Sequence, residues 1–445
     1  MKRLLLTFIL TFSGIFGSFK YPLYGICIYI WFAYWRPLEY AWGVPGWFMA
    51  MRPSLLLALS VILGSLMNKE RVFVASKFTI LLTFLWIQIT ISSFHAVTHE
   101  RGMFWLDYFS KQMIIIYVIS GVINNKKRLT AVIIALILTI GYFSGKCGLF
   151  GLMNPGGKIF GGHGGMFLDN NCFALAFNML LPFIFFAGHL LPKGIKYSKH
   201  RIGLKILFFL SILGVVFTYS RGGFLGLCVV LLMINLRSKR KVLSLIIVGA
   251  MIAIIGTFFL PEEYKERLGT IVVDEEQGEE REASSASRIH FWKVAMIIAN
   301  NYPIIGIGPG CYPDVYDYYD FSNGLYGTTR AVHNTYFQML TNNGYPGLVL
   351  MLLLMFFGFT TCMKLRRRVK RREDLQWIFA CANMMEISLA AYCVCGMFLS
   401  AAYADLFYHL IILIACLDRM TPYYLNAPPE QEQATEAAPA VMPSR

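Results

Sequence analysis

The stretch GLKILFFLSILGVVFTYSRGGFLGLCVVLLMINLRSKRK, residues 203–241, decides the fold. Two apolar runs, 203–219 and 222–236, approach the length of about 20 residues that crosses a hydrocarbon core. They are separated only by Ser220-Arg221-Gly222, and basic clusters flank the pair: Lys199, Arg201 and Lys205 before, Arg237, Lys239, Arg240 and Lys241 after. That pattern is a pair of membrane helices returning to the side they left. Comparable runs stand near 4–16, 21–35, 54–67, 73–94, 112–124, 129–145, 171–191, 242–260, 345–363, 376–398 and 402–418. With 57% hydrophobic and only 15% charged residues among 445, an ordinary soluble enzyme is excluded, since such domains hold about a quarter charged residues. The fold class is an all-α polytopic membrane protein.

The formal charge of +15 would suggest nucleic acid in a soluble chain. Here more than half of the 40 Lys and Arg fall in five short loops: 69–71, 126–128, 193–205, 237–241 and 364–372. Clusters between spans mark the cytoplasmic side, so the charge is topological and no nucleic-acid partner is expected. Residues 36–53, 96–111, 146–170, 220–222 and 261–335 then face the other side. Parity requires an odd number of crossings within residues 1–35 if Lys2 and Arg3 are cytoplasmic. That reading gives twelve crossings with both termini inside; thirteen, with the N-terminus outside, is the other solution.

The chain divides into N-terminal membrane helices (1–260), one large external loop (261–335), C-terminal membrane helices (336–420) and a tail (421–445) whose Pro, Glu, Gln and Ala content predicts disorder. A loop of that length on a helical scaffold is usually functional. Its first part, Pro261 to Glu282, is strongly acidic and reads as solvated. Ser287 to Asn301 reads as an amphipathic helix with Ile289, Trp292, Ala295, Met296 and Ala299 on one face. Gly306, Gly308 and Gly310 form a turn, and an aromatic run beginning at Tyr312 follows.

Several residues can carry chemistry. Arg221 at a membrane boundary is costly unless it meets an anion or a polar cavity; the duller reading is an Arg that snorkels to lipid phosphate. Arg288 opens the amphipathic helix, where free N–H donors and a cation favour an anion, although it can equally answer the acidic run before it. His333 ends the external loop and can serve as a base near neutral pH, against the commoner role of a structural hydrogen-bonding His. Asn334 offers an amide beside it. His95 and His99 are one helical turn apart beside Glu100 but lack an evident third metal ligand. Glu386 and Asp405 lie in the last spans as proton relays or partners for Arg. The external tyrosines suit sugar stacking or an interfacial aromatic belt. Gly161 to Asn171 is Gly-rich without the Lys-Ser/Thr ending of a phosphate loop. Of the ten cysteines, Cys147 and Cys311 fall in external loops, where an oxidising compartment would permit pairing.

Ser220-Arg221-Gly222-Gly223, Ser287-Arg288 with Trp292, Gly306-Ile307-Gly308-Pro309-Gly310, and His333-Asn334 with Gly344 and Gly347 resemble, in order and spacing, the bacterial O-antigen ligase and polymerase superfamily. Arg36 to Gly43 and Asp169-Asn170-Asn171 with Ala174 to Pro182 resemble its branch of exosortase-associated O-glycosylation ligases, although Arg36-Pro37-Leu38 stands where that branch usually has Asn-Pro-His.

The resemblance implies a GT-C-type glycosyltransferase of the bacterial inner membrane, with its site facing the periplasm. It would move a glycan from a polyprenyl (undecaprenyl) diphosphate to an acceptor hydroxyl on a lipid, polysaccharide or protein. Arg221 and Arg288 would bind the diphosphate and His333 would act on the acceptor, with Asn334, Tyr312 and Trp292 supporting the site or binding the acceptor. Two cations beside a base suit an inverting transfer without metal or other cofactor. A polysaccharide polymerase is the alternative within this chemistry. A lipid or polysaccharide transporter is the alternative outside it, though no internal repeat supports it.

Overall fold

The computed structural model describes residues 2–154, 156–162, 167, 169–191, 194, 197–237, 249 and 285–426. The expected span at 242–260, the acidic segment 261–282 and the tail beyond Asn426 lie outside them. The described residues form helices α1 (Lys2–Lys20), α2 (Pro22–Trp35), α3 (Pro37–Tyr40), α4 (Gly46–Ala50), α5 (Pro53–Met67), α6 (Lys77–Phe94), α7 (His99–Val122), α8 (Lys126–Met153), α9 (Asn170–Ala187), α10 (Ser198–Val216), α11 (Arg221–Leu236), α12 (Ser285–Asn301), α13 (Tyr312–Tyr319), α14 (Thr335–Val369), α15 (Gln376–Cys395) and α16 (Asp405–Asn426). Every apolar run within the described residues falls largely inside one of these helices.

Seven helical segments are long and apolar enough to cross a membrane: α1, α6, α8, α9, α14, α16 and α15 with its extension to Phe398. The expectation of twelve such crossings is therefore not met by length and composition among the described residues. The helices α5 and α11 are apolar but shorter. Charges interrupt α7 (Glu100, Arg101, Asp107, Lys111) and α10 (Lys199, Arg201, Lys205).

Contacts sort the connections into two ends. At the basic end Arg128 makes two hydrogen bonds with Glu70, at 2.7 and 2.9 Å, Arg419 donates to the carbonyls of Ser120 and Ile123, and Glu386 is held by Arg237 and Arg366, each at 2.8 Å. Glu386 is thus an Arg partner, one of the two roles open to it from sequence. The opposite end gathers the turn at 95–98, residues 217–222, helices α12 and α13, and the turn 396–404.

The first two helices depart from the expected single crossing. They form a tight antiparallel hairpin: Ser13 meets the Tyr24 hydroxyl at 2.9 Å, and a Cβ on Gly14 would strike Ile28 while one on Gly25 would strike Ser18. Lys20 therefore lies at the basic end, where Asn68 donates to the Phe19 carbonyl. Arg3 returns to the other end, its guanidinium 4.3 Å over the Tyr40 ring. The N-terminus accordingly shares an end with residues 36–50, the geometry of the thirteen-crossing solution.

The feature that positions the external segment is a break in α14. Gly344 has φ 66° and ψ −175°, in a region that side chains rarely enter, and Pro346 lacks the N–H that would bond the Asn342 carbonyl. The freed carbonyls find new donors: Ile307 N bonds Thr341 O at 2.9 Å and Gly308 N bonds Asn342 O at 3.1 Å, while Tyr345 N bonds Pro303 O at 2.8 Å. Gln88 Nε2 on α6 bonds the carbonyls of Ile304 and Asn343, and Ser92 Oγ stands 2.5 Å from those of Ile305 and Asn342. A Cβ on Gly344 would lie 2.5 Å from the Pro303 and Ile304 oxygens.

Two outcomes check this architecture. In a cysteine-free background, Lys2→Cys and Asn323→Cys should react with an impermeant reagent from the same side and Lys370→Cys from the other; reaction of Lys2→Cys with Lys370→Cys instead would break the hairpin reading. Gly344→Ala combines left-handed strain of about 1–3 kcal/mol with a backbone collision, so its thermal midpoint in detergent should fall by several degrees.

Candidate functional site

The site is assembled from three segments distant in sequence. The first is the α10–α11 connection. Ser220 caps α11 by accepting Gly223 N at 3.0 Å and donates its hydroxyl to Asn171 Oδ1 at 2.6 Å; Asn170 Nδ2 bonds the Thr218 carbonyl at 2.9 Å. Asp169 caps α9 through Cys172 N. Asp169-Asn170-Asn171 is therefore a clamp that ties α9 to the turn carrying Arg221. The glycines after Arg221 serve close approach: Cβ atoms would meet Phe398 at Gly222, Ala174 at Gly223 and the Cys395 sulfur at Gly226. Larger residues would push α11 off α9 and α15, and Arg221 with it.

The second segment is α12. The buried face carries Phe291, Val294, Ala295, Ile298 and Ala299, of which the first four join Ile307, Tyr312 and Tyr316 in a small core of their own. The face expected from sequence is rotated: Ala295 and Ala299 do point inward, but Ile289 and Met296 are exposed. Arg288 lies beside the first turn with its guanidinium 5.9 Å from the Phe398 ring centroid. Burial holds its pKa below the usual arginine value, and the charge of Arg221 lowers it further. Arg221 and Arg288 are thus close enough to repel.

The third segment is the approach to α14. His333 has φ 48°, a left-handed conformation strained for a non-glycine residue. Its ring stands 6.4 Å from that of Phe291. Its pKa is depressed, first by burial and then by Arg288 and Arg330, with Asp169 pulling the other way. Burial and the two cations thus favour the unprotonated imidazole.

The remaining expected residues divide. Asn334 spends its amide on structure: Oδ1 accepts Tyr336 N and Phe337 N, and Nδ2 donates to the Met397 carbonyl at 3.1 Å. It is the α14 cap and ties His333 to the 396–398 turn. Tyr312 is 2% exposed and its hydroxyl donates to the Phe291 carbonyl at 2.8 Å; it packs the loop core, which is the supporting one of the two roles open to it from sequence. Trp292 stacks on Phe337 at 5.9 Å, and its buried Nε1 has no hydrogen-bond partner among the described residues. His95 Nδ1 lies 2.9 Å from the Ile91 carbonyl, and among the described residues no three His, Cys, Asp or Glu side chains group to hold a metal. The cysteines are free, and Cys311 is buried.

Sequence reasoning did not single out Asp169 and Arg330 as neighbours of His333, Phe398 between the arginines and α15, or the buried His290–Asp320 pair at 2.7 Å. Burial would raise the Asp320 pKa, but hydrogen bonds from Ser322, Gly324 and His290 outweigh it and bring it to about 2. This carboxylate staples the 320–324 turn to α12. Only the Asp169-Asn170-Asn171 triplet left a sequence signal, as an apolar helix opened by three polar side chains.

Residues 206–352 match the family model described as O-antigen ligase. Residues 1–188 match a family of unknown function, DUF5935. No curated protein matches the chain. The first match spans Arg221, Arg288 and His333, and the second contains the Asp169–Asn171 clamp.

The charges around His333 give a signed expectation. Removing a cation that lowers its pKa must raise it, and removing the anion that raises it must lower it. In protein labelled at histidine, the NMR titration midpoint of His333 should move up in Arg330→Gln and down in Asp169→Asn, where Asn preserves the helix cap. Shifts of the same sign would refute this arrangement.

Proposed function

The chain belongs to the O-antigen ligase/polymerase superfamily, whose members are glycosyltransferase-type enzymes, and on that premise we propose that it is an O-antigen ligase-like transferase. It moves a glycan from a polyprenyl diphosphate carrier to an acceptor hydroxyl at the end of the bundle that holds α12, α13 and His333. The observation that carries this reading is Arg288, over the Phe398 ring and within electrostatic reach of both Arg221 and His333, whose pKa burial and that guanidinium lower.

A diphosphate relieves the repulsion between the two arginines. Arg221 and Arg288 hold the leaving group through charge-assisted hydrogen bonds, often bidentate for a guanidinium. The acceptor oxygen attacks the anomeric carbon from the face opposite the diphosphate, the bond from that carbon to the phosphate oxygen breaks, and the hydroxyl proton passes to His333. The configuration inverts. Negative charge accumulating on the diphosphate is stabilised by fixed cations in a half-buried site. The same charge offsets the influence of Arg288 on His333, so the imidazole becomes a stronger base once the donor is in place. Trp292, stacked on Phe337 with an unused N–H, is the acceptor-side residue this site offers. Assignment to the exosortase-associated branch rests on Arg36–Gly43 and Asp169–Pro182 alone.

The test is glycan transfer and carrier-lipid binding by purified protein in lipid. His333→Gln should bind donor normally while turnover falls by about 100- to 10,000-fold, the usual worth of a general base. Arg221→Lys and Arg288→Lys should weaken both binding and turnover because the planar fork is lost. Full turnover in His333→Gln would remove it from the chemistry, and undiminished carrier binding in both Arg→Ala variants would end the diphosphate assignment. Activity should persist in a strong chelator.

A further inference from the structure

Away from these arginines, a cavity of about 360 Å³ opens between α2, α5, α7 and α16 at the same end of the bundle. Its lip is apolar and outward-facing: Leu59, Phe104 and Ile114 are 44%, 64% and 40% exposed. Its floor is polar and buried. Tyr108 and Gln112 both donate to Asp405 Oδ1, at 2.9 and 2.6 Å, and Oδ2 takes no hydrogen bond among the described residues. Gln112 is 4% exposed, and its buried Oε1 has no partner among the described residues. His409 is 3% exposed; its Nδ1 stands 2.9 Å from the Asp405 carbonyl and the Tyr34 hydroxyl, and its buried Nε2 has no partner among the described residues. A carbonyl only accepts, so Nδ1 carries the proton and the neutral ring presents a lone pair at Nε2. Two buried acceptors, with the second oxygen of the half-buried Asp405 beside them, therefore line one cavity without a donor among the described residues, and leaving buried acceptors unpaired is costly in a protein interior.

The rim adds charge. Arg36 pairs with Glu39 at 2.5 Å and Lys111 with Asp107; with Asp405 the lining holds one more acid than base. Arg36 and Lys111 retain further N–H donors beyond these pairs. Arg36 also has φ 47°, and that conformation turns the chain from α2 into α3 at the cavity mouth.

We propose that this cavity binds a membrane phospholipid whose headgroup carries a primary ammonium beside its phosphate. The three N–H donors of the ammonium match Asp405 Oδ2, Gln112 Oε1 and His409 Nε2. The phosphate meets Arg36 and Lys111, and the acyl chains leave across Leu59, Phe104 and Ile114. A quaternary ammonium has no N–H to give, and an anionic glycerol headgroup adds negative charge to a lining already in deficit of cations. The site is independent of the transfer reading: none of its residues belongs to the arginine–histidine cluster.

The experiment is native mass spectrometry of delipidated full-length protein in detergent, offered equal amounts of phosphatidylethanolamine, phosphatidylcholine and phosphatidylglycerol. The ethanolamine lipid should be retained about tenfold better than the other two, the worth of one hydrogen bond to a charged group. The preference should vanish in Gln112→Leu and in Asp405→Asn, each compared with wild type by gel filtration. Equal retention of the ethanolamine and choline lipids, or preference for the glycerol lipid, would overturn the proposal. So would a preference unchanged in Gln112→Leu, a variant that adds no charge and decides the matter if Asp405→Asn does not fold. Soluble phosphoethanolamine should not displace the lipid; displacement would show that the site takes a free amine phosphate.

Discussion

The broken hydrogen-bond ladder of α14 is the constraint on which the rest of this end of the molecule depends. A helix interrupted at Gly344 and Pro346 leaves carbonyls that cannot stay unpaired in an apolar bundle. The segment Pro303–Gly308 answers them with its own backbone, and α6 completes the set through Gln88 and Ser92. Because that segment is the C-terminal continuation of α12, satisfying the break fixes where α12 lies. The glycines follow from the same requirement. At Gly306 a Cβ would stand 2.4 Å from the Asn342 oxygen, and at Gly308 2.3 Å from the Ala96 side chain; only bare backbone fits between α14 and the turn after α6.

Two further ties convert that docking into a site. Asn334 caps the first half of α14 while holding the Met397 carbonyl, and Thr335 Oγ1 bonds the Leu399 carbonyl at 2.7 Å. The strained His333 is thereby trapped between a capped helix and the turn that carries Phe398. Phe398 in turn lies over Gly222, so the residue facing Arg288 also sets how deeply α11 seats. Arg221, Arg288 and His333 are positioned by one mechanical chain, and a defect at any link reaches all three.

The helices were legible in the sequence because membrane spans announce themselves by composition over many residues, and among the described residues from 36 onward the basic loops gather at one end of the bundle as their charge implies. What failed was local. Small residues say nothing in sequence about whether a helix bends or packs, so Gly14 to Gly17 read equally as a kink within one crossing; here Gly14 and Gly25 let α1 and α2 lie against each other. The face of α12 was misread because Ile289, Trp292, Met296 and Ile297 spread apolar side chains around most of its circumference, leaving periodicity little contrast. The place of Tyr312 is not legible because an aromatic run in an external loop gives no sign that the loop builds its own core. Asp169 acts near a residue 164 positions away, a relation that single-sequence reasoning has no means to detect.

The electrostatics of the resting site bear on its order of events under the proposed chemistry. Arg221 and Arg288 stand within mutual influence, with Arg288 partly desolvated, and an arriving anion would offset that repulsion. His333 feels Arg288 as well, and Asp169 opposes that effect without reversing it. A base held below its ordinary pKa accepts a proton reluctantly. An entering diphosphate changes both conditions together: it stabilises the cations and lets the imidazole recover its basicity. The acceptor hydroxyl therefore meets an effective base only when a donor is present to be attacked, and the coupling needs no moving part, because charge alone carries it across the few residues between the arginines and the ring.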